Sequence, residues 1–170
     1  MSRLISLMET IAYLSLGSNV GDREANLRKA IARLGEFGRV DAVSSFYETE
    51  PVEVVDQPWF LNCALKLLTK FGAEELLAGA LAIERSMGRE RTRPKGPRLI
   101  DIDIVLYGDN VINAPGLTIP HPGVAERLFV LTPLAEIAPQ ALHPTLKKSV
   151  RELRDSLRPD SPVVRRMPEK

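Results

Sequence analysis

Phe60-Leu-Asn-Cys-Ala-Leu-Lys-Leu-Leu-Thr69 sets Leu61, Cys63, Leu65 and Leu67 at every second position. That is the two-residue period of a strand with one face in a core. Its flanks give the topology. Downstream, Leu76, Leu77, Ala80, Leu81 and Ile83 fall at helical spacing within Ala73 to Met87, and Gly88 stops the helix. After an irregular loop, Leu99 to Tyr107 reads as a further strand closed by Gly108-Asp109-Asn110. Upstream, residues 48–58 hold two prolines and no periodicity, a loop long enough to suggest function rather than mere connection. Val40 to Tyr47 is rich in β-formers and reads as the preceding strand. Before it, Leu27, Ala30, Ile31 and Leu34 mark a helix, with Asp22 as its N-cap and Gly35 and Gly38 at its end. Ile11 to Leu16 is an apolar β-leaning run, and Gly17-Ser18-Asn19 with Gly21-Asp22 reads as the turn that ends it.

The order β-α-β-β-α-β predicts an α+β, ferredoxin-like core: an antiparallel four-stranded sheet with both helices on one face. C-terminal additions follow, with short strands near Val111 and Thr118, a helix from about Val124 and a terminal amphipathic helix. Residues 1–170 are expected to form one domain, with 1–10 an extension and about 159–170 a frayed, peripheral tail.

A chain of 170 residues can bury a core of its own. Its 23 basic and 22 acidic residues argue against coating nucleic acid by bulk charge. Cys63 is the sole cysteine, so neither an internal disulfide nor a cysteine zinc site is available, and it reads as a small buried hydrophobe. No apolar run approaches the roughly 20 residues that span a bilayer, and the first ten residues lack the apolar stretch of a signal peptide. The expectation is a soluble cytoplasmic monomer whose partners are small molecules, not nucleic acid or membrane.

Charge is instead concentrated. Six cations fall between Arg85 and Arg98, and that stretch runs into Leu99-Ile-Asp-Ile-Asp103. Asp101 and Asp103, two residues apart on a strand, share a face at a backbone spacing of roughly 6.7 Å. Ile100, Ile102, Ile104 and Leu106 take the core face. Two carboxylates on one apolar strand repel unless a hard cation lies between them, and magnesium needs few protein ligands beside phosphate and water. The competing reading is a half-solvated sheet face. Gly88, Pro94, Gly96 and Pro97 make 88–98 an irregular loop rather than a helix face. It would bring the guanidiniums of Arg89, Arg91, Arg93 and Arg98, with Lys95, around a metal-bound polyphosphate. Gly17-Ser-Asn-Val-Gly21 lacks the Gly-Lys-Ser/Thr ending of a phosphate loop and reads as a structural turn or as support behind the site. His121, between prolines, is either a structural loop residue or a phosphate contact, and Arg127 stands close behind it. His143 reads as structural.

Four blocks resemble the 6-hydroxymethyl-7,8-dihydropterin pyrophosphokinase family from about Ala12 to Pro144. They are Tyr13-Leu-Ser-Leu-Gly-Ser-Asn19, Val43 to Thr49 with Asp56 to Asn62, Gly96-Pro-Arg-Leu-Ile-Asp-Ile-Asp-Ile104, and Ile119-Pro-His-Pro with Arg127-Leu-Phe129. The resemblance implies transfer of pyrophosphate from ATP to a reduced pterin in folate biosynthesis, with AMP leaving. It implies two magnesium ions on Asp101 and Asp103, and ATP contacts at Glu84, Arg89, Arg91, Arg98, His121 and Arg127. Arg89, Arg91 and Arg98 would join the two aspartates as the catalytic set. Pterin contacts map to Thr49, Val52, Phe60, Asn62 and Phe129. A flat pterin suits an aromatic sandwich from Phe60 and Phe129, which otherwise read as core, and its amide-like edge suits Asn62. Three positions depart from the family pattern: Lys95 replaces a common tryptophan, Pro122 a common aromatic and Glu50 a proline seen in some relatives. Closure of loops 48–58 and 89–98 over substrate is expected. The rivals are a ferredoxin-like nucleic-acid-binding module and a metal-dependent nuclease. Aromatics at 5% of residues, and aspartates on the sheet face, speak against the first.

Overall fold

The computed structural model describes residues 9–50, 56–88, 99–157 and 164–167. The main sheet is built from β1 (Thr10–Ser18), β2 (Arg39–Val43), β3 (Tyr47–Thr49), β4 (Phe60–Thr69), β5 (Asp101–Tyr107) and β8 (Val164–Arg166). Every neighbouring pair is antiparallel. β1 lies between β5 and β4, and the far edge of β4 is shared by β2 and β3, with β8 outside β3. β6 (Ile112–Ala114) and β7 (Leu117–Ile119) form a separate hairpin.

The strand expected over Val40 to Tyr47 is therefore two strands, and Glu48 and Thr49 belong to the sheet rather than to the loop. Ser44 explains the break. Its N–H donates to the Ala64 carbonyl at 2.9 Å, while its own hydroxyl accepts the Ala64 N–H at 2.9 Å. A side chain thus takes the place of a backbone rung, and the strand bends there.

Helix α1 (Arg23–Leu34) starts where the sequence predicts: the Asp22 carboxylate accepts the Ala25 N–H at 3.0 Å. Its Leu27, Ala30 and Leu34 are buried, as are Leu76, Ala80 and Ile83 of α2 (Ala73–Ser86). Both helices meet Ala12, Leu14 and Leu16 of β1, Leu61, Cys63, Leu65 and Leu67 of β4, and Ile102 and Ile104 of β5 in one core. Each fully buried leucine there contributes about 1.5–3 kcal/mol relative to exposure. Burial pushes the Cys63 thiol up to about 12, so it stays a protonated apolar group. Leu81, expected on this stripe, is 37% exposed; Gly79 packs instead, where a Cβ would stand 2.4 Å from the Phe37 ring.

A second core covers the opposite face, where α3 (Leu128–Ile137) and α4 (Val150–Asp155) bury Val130, Leu131, Leu134 and Leu153 against Ala64 and Val105. Leu106 joins this second core rather than the first, because the β1–β5 register shifts between Tyr13 and Leu14. Two more expectations are corrected. Gly17 lies within β1 and not in the turn. Part of the expected frayed tail, Val164–Arg166, pairs with Tyr47–Thr49. Among the described residues no helix is long and apolar enough to cross a membrane.

Candidate active site

Strand register assembles the site. Gly17 of β1 faces Asn62 of β4 on one side and Asp101 of β5 on the other, and Ser15 faces Asp103. Directly opposed residues share a sheet face, so Asn62, Asp101 and Asp103 look out together. They do so on the face covered further along by α3, because Ala64 and Val105, each two residues further along the same strands, pack in the second core. Between Asn62 and Asp101, whose strands lie roughly 9–10 Å apart, the floor is Gly17 and has no side chain. A Cβ there would stand 2.5 Å from Asn62 Oδ1 and 3.5 Å from Phe60 Cδ1. Glycine is required by close approach rather than by a turn.

On the Asn62 side, Thr49 is opposite Phe60. Asn62 Nδ2 donates to Thr49 Oγ1 at 2.5 Å, and both side chains are buried. That bond meets the cost of burying an amide and turns its carbonyl toward Gly17. Phe60 is half-buried at the strand's start.

On the Asp side, both aspartates are half-exposed. His121 Nε2 lies 4.0 Å from Asp103 Oδ1. His121 Nδ1 accepts the Gly123 N–H at 3.1 Å, so the neutral ring carries its proton on Nε2, facing Asp103. The His121 N–H, donating to the Val105 carbonyl at 3.0 Å, pins this loop to β5. Arg127 follows a short turn at Val124–Glu126, and its guanidinium stacks 5.7 Å from the Phe129 ring centre. A Cβ on Gly123 would lie 2.6 Å from Arg127 Nε, so that glycine clears the path of the arginine.

Glu84, on α2, is 2% exposed and accepts the Ile102 N–H at 2.7 Å. β5 is the outer strand on this side, so the carboxylate caps a backbone donor on its open edge, between the two aspartates. Val52, Arg89, Arg91 and Arg98, with Arg93 and Lys95, lie outside the described residues.

Sequence reasoning missed a second group. Asn19 Nδ2 donates to Gln57 Oε1 at 2.9 Å and to the Pro58 carbonyl at 3.0 Å. Arg23 donates from Nη1 to the Trp59 carbonyl at 3.0 Å and from Nη2 to Glu48 Oε2 at 2.9 Å. The only available signal was a buried-type amide beside an apolar strand; the partners are too distant in sequence to be read. Tyr47 and Glu136 were also missed. The Tyr47 hydroxyl donates to Glu136 Oε1 at 2.6 Å, and the Ser45 N–H and hydroxyl donate to Oε2. Burial and then the neighbouring carboxylate push Tyr47 up to about 12. Burial alone would raise Glu136, but the bonds from Tyr47 and Ser45 outweigh it and hold the carboxyl below its ordinary range. The pair links α3, which carries Phe129, to β3, which carries Thr49.

Among the described residues no three of His, Cys, Asp and Glu group as a metal cage. Two half-exposed carboxylates on one face nevertheless suit a hard cation that takes its remaining oxygens from phosphate and water. The site thus pairs an oxygen-rich end with a buried amide–hydroxyl end across a bare glycine floor.

The family model for 7,8-dihydro-6-hydroxymethylpterin-pyrophosphokinase (HPPK) matches residues 13–139. The 2-amino-4-hydroxy-6-hydroxymethyldihydropteridine pyrophosphokinase of Bacillus subtilis is 48% identical over 135 residues, 78% of this chain and 81% of that protein. The Aquifex aeolicus protein of the same name is 42% identical over 142 residues, 84% and 89% of the two chains. The folic acid synthesis protein fol1 of Schizosaccharomyces pombe is 46% identical over 89% of this chain, which spans only 21% of that relative's length. In fold, the chain is similar to a solved HPPK-DHPS in complex with substrates, with a TM-score of 0.73 at 16% identity, covering 87% of this chain and 43% of the other. Matching most of its length to the family model, and most of two relatives' lengths at over 40% identity, the chain belongs to the 7,8-dihydro-6-hydroxymethylpterin-pyrophosphokinase family.

Proposed function

We propose that this protein transfers the β,γ-pyrophosphoryl group of ATP to the hydroxymethyl oxygen of 6-hydroxymethyl-7,8-dihydropterin, releasing AMP, in folate biosynthesis. The observation that supports the reading is the Asn62–Gly17–Asp101 row, a buried amide and a carboxylate on either side of a glycine on one sheet face.

In this reading Asn62 and Thr49 hold the polar edge of the pterin, Phe60 and Phe129 its flat faces, and Val52 its loop side. Gly17 leaves room for the ring to lie against the sheet. Asp101 and Asp103 hold two magnesium ions, which when bound supply charge neutralisation on the phosphate oxygens. His121, with its Nε2 proton on the Asp103 side, donates to a phosphate oxygen, and Arg127 adds a charge. Arg89, Arg91 and Arg98 hold the triphosphate in line, and Glu84 contacts ATP from the α2 side while bracing β5. The new bond joins the hydroxymethyl oxygen to the β-phosphorus. The bond from that phosphorus to the α,β-bridging oxygen breaks, AMP departs with that oxygen, and the hydroxyl proton passes to solvent water. Positioning and electrostatics supply most of the acceleration. Residues 1–170 act as one domain, as a monomer in the cytoplasm.

Incubation with ATP, magnesium and the reduced pterin is expected to yield AMP and the pterin pyrophosphate in equal amounts. ADP as the nucleotide product, or hydrolysis of added RNA or DNA instead, would overturn the assignment. Asp101→Ala and Asp103→Ala are expected to abolish turnover at any magnesium concentration. Near-normal rates in both would remove the metal role from β5.

A further inference from the structure

The Arg23 side chain connects two places that the proposed site needs held together. Glu48 immediately precedes Thr49 on β3, and Trp59 immediately precedes Phe60 on β4. One guanidinium bonds both neighbours, the Glu48 carboxylate at 2.9 Å and the Trp59 carbonyl at 3.0 Å. The partners lie 25 and 36 residues away in sequence. The pair is sheltered: the Arg23 side chain is 27% exposed and that of Glu48 15%. One turn earlier, Asn19 is 2% exposed and grips the Gln57 side chain and the Pro58 carbonyl. The stretch from Asn19 to Arg23 thus holds the three consecutive residues that lead into β4, 57 to 59, and ties them to β3.

We infer that Arg23 is a positioning residue for the pterin side: it fixes where Thr49 and Phe60 stand relative to each other without touching substrate. The chemistry favours arginine. A planar fork can serve a carboxylate with one nitrogen and a carbonyl with another in a fixed geometry, whereas an ammonium is a point charge that serves mainly the carboxylate. The β3–β4 ladder contributes only three paired positions here, Tyr47 to Thr49, and such a short pairing gains from an external tie. The effect is directional. Asp101 and Asp103 belong to β5, which lies on the other side of β1 from β4 and β3. Loosening it acts on pterin recognition rather than on the phosphate side.

This inference rests on the pterin assignment of Thr49, Phe60 and Asn62, so the test separates the two. Steady-state KM for pterin and for ATP, kcat and Tm are measured for wild type, Arg23→Met, Arg23→Lys, the double variant Arg23→Met/Glu48→Gln, and Asn62→Ala. Expected is a rise of about tenfold in pterin KM for Arg23→Met with ATP KM within twofold, partial recovery in Arg23→Lys, and a large pterin effect in Asn62→Ala. The double variant removes both members of the ion pair, and it is expected to retain the pterin defect with a smaller loss of Tm than Arg23→Met. If Asn62→Ala raises pterin KM and the double variant does not, Arg23 is only a stability residue and the inference fails. Equal rises in both KM values would likewise overturn it. If Asn62→Ala leaves pterin KM unchanged, the pterin assignment itself fails, and the inference with it.

Discussion

At the scale of single residues, the site depends on a missing side chain as much as on those present. Gly17→Ala places a methyl 2.5 Å from Asn62 Oδ1, so the amide must swing away and weaken its bond to Thr49. A pterin KM raised by at least tenfold, with ATP KM little changed, is expected in steady-state kinetics. Tyr47→Phe removes the 2.6 Å bond to Glu136. The carboxyl then titrates closer to its ordinary range, and denaturant unfolding at neutral pH shows a loss of about 1 kcal/mol, modest because Glu136 is on the exposed side. The sign follows from Glu136's lowered value. Its contribution is full above the unfolded value of 4.5 and fades as pH falls through the folded one, so the gap between wild type and variant closes in acid. The chemistry of these residues was only partly legible. Asp101 and Asp103 announce themselves by strand period, whereas Gly17 looks like an ordinary turn glycine until its neighbours on β4 and β5 are known.

Elements show the same division. The helices of the first core were readable from capping and the 3.6-residue period, because both are local: Asp22 caps α1 from within its own turn. The break between β2 and β3 was not readable, since Ser44 replaces a rung only because Ala64 happens to lie opposite. Nor was β8, three residues in a proline- and charge-rich tail that extend beyond the family match at residue 139. β8 covers the edge of β3, with Met167 N–H bonded to the Phe46 carbonyl at 2.8 Å and Arg166 to the Ser45 hydroxyl. Removing residues 158–170 leaves that edge unpaired. A lower Tm and a weaker grip on pterin are expected, read by thermal melts and pterin KM, with ATP KM preserved.

For the molecule as a whole, the buried His143 offers a pH test of stability. His143 Nδ1 accepts the Thr145 and Leu146 N–H groups at 3.3 and 3.1 Å, and burial holds its pKa below the ordinary 6.5. Protonation would spoil that acceptor. Its stabilisation is therefore full above 6.5 and is lost as pH falls through the folded value, so the urea midpoint should drop between pH 7.5 and 5.5 in wild type and stay flatter in His143→Gln. The sequence alone determined the α+β order, the antiparallel sheet, the shared face of Asp101 and Asp103 and the family resemblance, since period, cap and motif are properties of adjacent residues. Only the tertiary structure decided that Gly17 is a floor, that the tail supplies a strand and that Arg23 ties β3 to β4. Those depend on which polar groups meet across 25 residues or more of chain once two cores have packed on opposite faces of one sheet. No local pattern encodes such meetings, because the free energy that selects them comes from burial summed over the whole fold.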